Sequence, residues 1–174
     1  MDWTHAPLHR TKDPGWYFIT AGTYKKQPFL LAEGRRDALI DLILSCACQL
    51  NLIVHAWVVL SNHYHLMLQA RKDADIPLFA RRVHSINARA VNALDAAPGR
   101  KVWYQYWDKF ITDENAYFAR INYIHQNPVR HRLVSAAENY RWSSMRYFED
   151  RVGIPLARAV RQIKIDKIKV VDDF

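Results

Sequence analysis

Two histidines, His63 and His65, stand two apart in the run His63 to Ala70 (HYHLMLQA), which holds no Gly or Pro and reads as a β-strand. Side chains alternate faces along a strand, so both imidazoles project to one side and Tyr64 to the other. Two neutral imidazoles on a rigid strand are half of a divalent metal site; without a metal, the same spacing describes a solvated or hydrogen-bonded histidine pair. A second pair, Tyr123 and Asn127, stands four apart at the end of a helical pattern, which puts phenol and amide on one helical face. Taken alone, Tyr123 is one of 22 aromatic residues (Trp 6, Tyr 9, Phe 7) and suits an apolar helix face as core. Asn127 precedes Pro128, and a residue in that position is pushed away from helical geometry, so the pair also reads as a plain helix stop.

The elements that would position these groups follow from periodicity. Residues 1 to 15 hold two Pro and no apolar period, an entry arm. Trp16 to Tyr24 (WYFITAGTY) is aromatic and β-branched, a strand, followed by a loop from Lys25 to Gly34. Ala38, Leu39, Leu42, Ile43 and Cys46 recur at helical spacing within Arg35 to Gln49. Leu52 to Leu60 (LIVHAWVVL) is a strand apolar enough to be buried on both faces, with His55 in the core or on the sheet, and Ser61-Asn62 has the length of a tight hairpin turn into the histidine strand. Ile76 to Leu94 is a second helix, broken at Ala97-Pro98-Gly99; Val102 to Ile111 (VWYQYWDKFI) is a fourth strand; Asp113 opens a helix with Tyr117, Ile121 and Ile124 as its apolar line, limited by Pro128. The order β-α-β-β-α-β is the ferredoxin-like split βαβ pattern: an α+β fold with an antiparallel sheet, helices on one face and an additional C-terminal helix. Farther on, Tyr140 to Tyr147 reads as a short helix or packed loop and Lys164 to Val171 as an edge strand.

The whole sequence has 174 residues, 50% hydrophobic, with 25 Lys+Arg against 17 Asp+Glu, a formal charge of +8. That length fits one domain, and the basic surplus suits a polyanionic partner as well as it suits simple solubility. Residues 41 to 70 hold one acid and no base and belong to the core. No apolar run approaches the roughly 20 residues a membrane helix needs, and no apolar run follows the N-terminus as in a secretory signal. Cys46 and Cys48, two apart in a helix, point in different directions and suit neither one metal nor a mutual bridge; the expectation is a reduced, cytoplasmic protein without a membrane partner.

Together the two pairs resemble a known family. His63-Tyr64-His65 resembles the HUH motif, histidine-hydrophobe-histidine, of the single-tyrosine transposases. Tyr123-Ile124-His125-Gln126-Asn127-Pro128-Val129-Arg130, 58 residues after His65, is similar to the Y-I-x-x-N-P-V-K/R segment of the REP-associated tyrosine transposases. Trp57 to Asn62, Trp107 to Ile111 and Trp142-Ser143-Ser144 agree with that branch in kind and order, so the resemblance runs over about residues 16 to 148, with 149 to 174 as a C-terminal extension. It implies that His63 and His65 ligate a divalent ion, Mg²⁺ or Mn²⁺, that Asn127 is the third protein ligand, and that Tyr123 is the nucleophile. Tyr64 is larger than the usual aliphatic middle residue but faces away from the metal, and Gln126 is a competing amide that the four-residue spacing disfavours.

The implied chemistry suits the side chains. A phosphodiester is anionic and resists attack, so a cation on its non-bridging oxygen is the main help a protein can supply, and two imidazoles and an amide leave that cation its full charge. A phenol of pKa about 10 must lose its proton on attack, and no general base is evident beside it. The product is a 5′-phosphotyrosine and a free 3′-hydroxyl; the bond is conserved, so another 3′-hydroxyl can reverse the step without ATP. The implied substrate is single-stranded or hairpin (REP-like) DNA, handled by a monomer or homodimer. Arg81, Arg82, Arg89, Arg100, Lys101, Lys109 and Arg130 are candidate phosphate contacts; Trp103, Tyr104, Tyr106 and Trp107 could stack on bases or fill the core. His125 and His131 fall near the site without an assigned part. The competing functions are a non-catalytic binder of DNA or RNA hairpins and a metal-dependent nuclease that uses water.

Overall fold

The computed structural model describes residues 14–71, 75–165 and 168. In chain order the elements are β1 (Gly15–Thr23), a 3-10 turn (Tyr24–Lys26), α1 (Glu33–Gln49), β2 (Ile53–Val59), β3 (His63–Ala70), α2 (Asp75–Leu94), β4 (Trp103–Ile111), α3 (Glu114–Arg130), a second 3-10 turn (Ala137–Asn139), α4 (Met145–Val152) and α5 (Ile154–Arg161). The four strands form one sheet in the order β2-β3-β1-β4, every neighbour antiparallel. Strands β1 and β2 are each antiparallel to the β3 between them, hence parallel to each other, and β3 and β4 stand in the same relation across β1. Each half is therefore a split βαβ unit, as the order of elements predicts. Ser61 and Asn62 are the hairpin turn, closed by the Leu60 N–H donating to the His63 carbonyl at 2.8 Å.

Alternation divides the sheet into two faces. Tyr17, Ile19, Tyr64, Leu66 and Leu68 point toward α1 and α2, the main core, where they are fully buried. Phe18, Thr20, His63, His65 and Met67 point the other way, and α3 lies over them: Tyr117 packs on Trp16 with ring centres 4.8 Å apart, and Tyr123 meets His65. Asp113 caps α3, its carboxylate accepting the Ala116 N–H at 2.7 Å.

One boundary differs from the sequence expectation. Pro128 does not limit α3 and Asn127 is not its stop; the helix runs on to Arg130 with the proline inside it. A proline forgoes only its own N–H bond, here to the Ile124 carbonyl, and so near the helix end few bonds follow that could be lost. The carbonyls beyond are used: Asn127 accepts from the His131 N–H at 3.0 Å and Pro128 from the Leu133 N–H at 2.9 Å. Burial of both Asn127 and Pro128 holds the turn in place.

After α3 the chain returns to the edge of β2. Ser143 bridges Val58, and the Ser144 hydroxyl accepts the Trp57 N–H at 2.9 Å and pairs with His125 Nε2 at 3.0 Å, so one side chain joins β2 to α3. Tyr140 to Tyr147 thus divides into a bridging segment and the start of α4. Helix α5 packs on α3, whose Asn122 amide donates to the carbonyls of Arg161 at 3.2 Å and Ile163 at 2.9 Å. The sequence-predicted strand Lys164 to Val171 lies mostly outside the described residues, and residues 164, 165 and 168 carry no strand; most of the entry arm also lies outside them. Among the described residues no helix is long and apolar enough to cross a membrane.

Candidate active site

Strand β3 and helix α3 bring the two sequence pairs together. The ring centres of His63 and His65 are 5.1 Å apart, and Tyr123 stands edge-on to His65 at 5.3 Å. Phe18, opposite Met67 in the register, stacks on His65 at 5.7 Å and meets Tyr123 at 6.0 Å, fixing the angle between helix and sheet. Asn127 lies one helical turn beyond Tyr123. All four groups are enclosed, with 1% of His63, 0% of His65, 1% of Tyr123 and 0% of Asn127 exposed. Arg130, a sequence candidate for phosphate contact, places its guanidinium 5.2 Å from the centre of the Tyr123 ring.

Each imidazole is oriented through Nδ1. His65 Nδ1 pairs with Thr20 Oγ1 at 2.8 Å, and His63 Nδ1 donates to Asn62 Oδ1 at 2.8 Å. Asn62 in turn donates from Nδ2 to the Lys26 carbonyl at 3.2 Å. When Nδ1 carries the proton in these pairs, Nε2 is the nitrogen each ring presents to an electrophile. Thr20 and Asn62 do not stand out in the sequence: Thr20 becomes visible only through the strand register that sets it opposite His65, and Asn62 reads as turn chemistry. His131, just past the end of α3, lies with its ring 5.0 Å from that of His63. Among the described residues no group of three or more His, Cys, Asp or Glu is arranged to hold a metal ion, so the candidate set depends on the amide of Asn127 for its third donor.

The basic candidates divide between faces. Lys109 pairs with Phe18 and Trp107 with Thr20 across β1 and β4, so both share the site's face. Arg81, Arg82 and Arg89 ride on α2, on the other side of the sheet; Arg82 donates to Gln49 at 3.1 Å and Arg89 to Ser85 at 2.8 Å. Arg100 pairs with Asp95 at 2.5 Å, and together with Arg35 it holds that carboxyl down to about 2. Lys101 lies over Tyr24 and Tyr104. Of the candidate stacking residues, Trp103 is core: it stacks on His84 at 4.6 Å and donates to Asn87 at 3.1 Å. Tyr106 also packs toward His84, and burial pushes its phenol up to about 12.

The split antiparallel sheet, with α1 and α2 on one face and α3 across the other, defines a class of fold. Over 100% of this chain and 94% of the other, with a TM-score of 0.65 and 19% identity, it is similar to a solved REP-associated tyrosine transposase bound to a REP hairpin. A second similar structure, from Deinococcus radiodurans and described as a candidate transposase, matches at a TM-score of 0.49 and 16% identity over 88% of this chain and 100% of that one. No family model matches the sequence, nor does any curated protein. The chain has the fold of a REP-associated tyrosine transposase.

Proposed function

We propose that the protein cleaves and rejoins single-stranded DNA at hairpin ends as a REP-associated tyrosine transposase, through a covalent 5′-phosphotyrosine. The observation that carries this is the meeting of Tyr123 with His65, itself beside His63, in a fold shared with a hairpin-bound transposase. The donors suit a divalent ion: two imidazoles fixed through Nδ1, and a buried amide one turn past the tyrosine. His63, His65 and Asn127 would hold Mg²⁺ or Mn²⁺, which when bound supplies positive charge to the non-bridging oxygens of the scissile phosphate.

The chain's own groups do the rest. Tyr123 Oη attacks phosphorus and forms the P–O bond as the P–O3′ bond breaks; the phenolic proton passes to solvent, and the departing 3′ oxygen takes up a proton from solvent to become a hydroxyl. Arg130, over the Tyr123 ring, is placed to favour the phenolate and to neutralise phosphate charge. Phe18 restricts the ring to an orientation over His65. Trp107 and Lys109, on the same face, offer a base platform and a phosphate contact. Because Tyr123 and both histidines are enclosed, DNA must displace what covers them as it binds.

Incubation with a labelled hairpin oligonucleotide and Mg²⁺ or Mn²⁺, followed by a denaturing gel, is expected to show a protein-linked DNA band that Tyr123→Phe abolishes. Free cleaved product from the Phe variant would instead mark a hydrolytic nuclease, and hairpin binding without cleavage by the wild type would mark a regulator.

A further inference from the structure

The sheet end next to His63 holds a group of residues that the cleavage step does not use. Strand β1 ends at Thr23 and enters the turn Tyr24–Lys26, where Lys25 (φ 53°) and Lys26 (φ 56°) are both left-handed. Residues with a Cβ rarely adopt that conformation, and two in succession persist only where surrounding contacts hold them. Here the Thr23 hydroxyl donates to the Gln27 carbonyl at 2.6 Å, Tyr24 N–H to Val102 at 2.7 Å, and Asn62 to Lys26 at 3.2 Å. The turn lays the Tyr24 ring 6.2 Å from that of Tyr104 on β4. Lys101 Nζ sits 4.8 Å and 5.0 Å from the two ring centres, and Lys25 Nζ 5.6 Å from that of Tyr24. All three lysines are exposed and both tyrosines partly so.

We infer that Tyr24, Tyr104, Lys25, Lys26 and Lys101 form a binding surface for the unpaired DNA strand that adjoins the scissile phosphate; this rests on the DNA-cleaving reading above. Ring platforms among ammonium groups fit a single strand, whose bases offer open π-faces between phosphates, and not a duplex, whose bases are stacked away. The location fits as well. Asn62 links the two sites directly, accepting from His63 Nδ1 and donating to the lysine turn, so this surface adjoins the candidate metal end, within reach of a strand bound there.

The test is fluorescence anisotropy in EDTA with two DNA probes: a blunt hairpin, and the same hairpin carrying short oligothymidine extensions. Wild type is expected to prefer the extended probe. The triple variant Lys25→Gln, Lys26→Gln, Lys101→Gln should lose that preference by about 10-fold or more, and its log-log salt slope for the extended probe should become shallower by about 2, near 0.7 per lysine. Tyr24→Leu with Tyr104→Leu should likewise weaken extended-probe binding by about 10-fold or more. Blunt-hairpin binding should be unchanged in both, with circular dichroism confirming that each variant is folded. Variants that keep the preference, or that lose blunt and extended binding equally, overturn the proposal, as does tighter binding of RNA extensions. The cleavage reading fails separately: a preference for extended probes in a wild type that never forms the Tyr123 adduct keeps the surface and removes the reading. Adduct formation by the lysine variant at unchanged half-saturation does the reverse.

Discussion

At the scale of single residues, the candidate site is a case of side chains fixed by neighbours less conspicuous than themselves. A histidine that ligates through Nε2 needs its Nδ1 proton pointed at an acceptor, or the ring rotates and the other tautomer competes. Asn62 Oδ1 is such an acceptor and the Thr20 hydroxyl can serve as one, at 2.8 Å each, and Thr20 is buried, so no water readily replaces it. Thr20→Val keeps the volume and removes the partner. It should therefore weaken Mn²⁺ binding, followed by calorimetry or by the loss of the free-ion electron paramagnetic resonance signal, by about 10- to 100-fold, the usual cost of losing an outer partner of a metal-bound histidine. Asn62→Ala should do the same through His63. Unaltered Mn²⁺ affinity in both variants would mean that the hydrogen bonds serve packing alone.

At the scale of elements, α2 is fastened to the sheet by an imidazole as well as by apolar contacts. His84 pairs through Nε2 with the Tyr64 hydroxyl at 2.8 Å and stacks on Trp103, keeping only a partly exposed edge. Burial lowers its pKa from the ordinary 6.5 to about 3. The folded protein therefore holds His84 neutral where the unfolded chain takes up a proton. Stability from this group is complete above about pH 6.5, falls as the pH drops through the window down to about 3, and is lost below it. Between pH 7 and pH 5 the unfolding free energy from urea titrations should fall, and His84→Gln should shrink that fall by roughly 1 to 2 kcal/mol; an equal fall in wild type and variant would show that His84 titrates normally. The elements also show what could be read beforehand. The period of two in HYHLMLQA places both histidines on one face without further information, and Asp113 marks the start of α3 because its side chain is a strong cap. By contrast, the partnership of Thr20 with His65 depends on the β1–β3 register, which is set by the whole sheet. The local preference at Asn127-Pro128 points to a helix end, but burial of that turn outweighs it. Which face the basic residues occupy was equally out of reach, because the α2 pattern identifies an apolar stripe without saying which side of the sheet receives it.

At the scale of the whole molecule, what matters is how firmly α3 is tied to the sheet it crosses. Helix α3 crosses the sheet that carries His63 and His65, and it is held there at several points along its length. Tyr117 bonds to His55 at 2.8 Å near its start, and Asn122 and His125 are tied to α5 and Ser144 farther along. A tyrosine helix exchanged between two subunits would have to give up these contacts and rebuild them on a partner. The consequence can be tested with two inactive proteins. Tyr123→Phe keeps its histidines and His65→Ala keeps its tyrosine. If each site is completed within its own chain, mixing the two at equal concentration restores no protein-linked DNA band, whatever the oligomeric state in solution. If the helices are exchanged, mixed dimers contain one site with both wild-type halves, and the band should return at up to about a quarter of the wild-type level. The bonds that tie α3 to His55, α5 and Ser144 predict the first outcome, and a restored band would show that the protein works in an assembly with the helix exchanged.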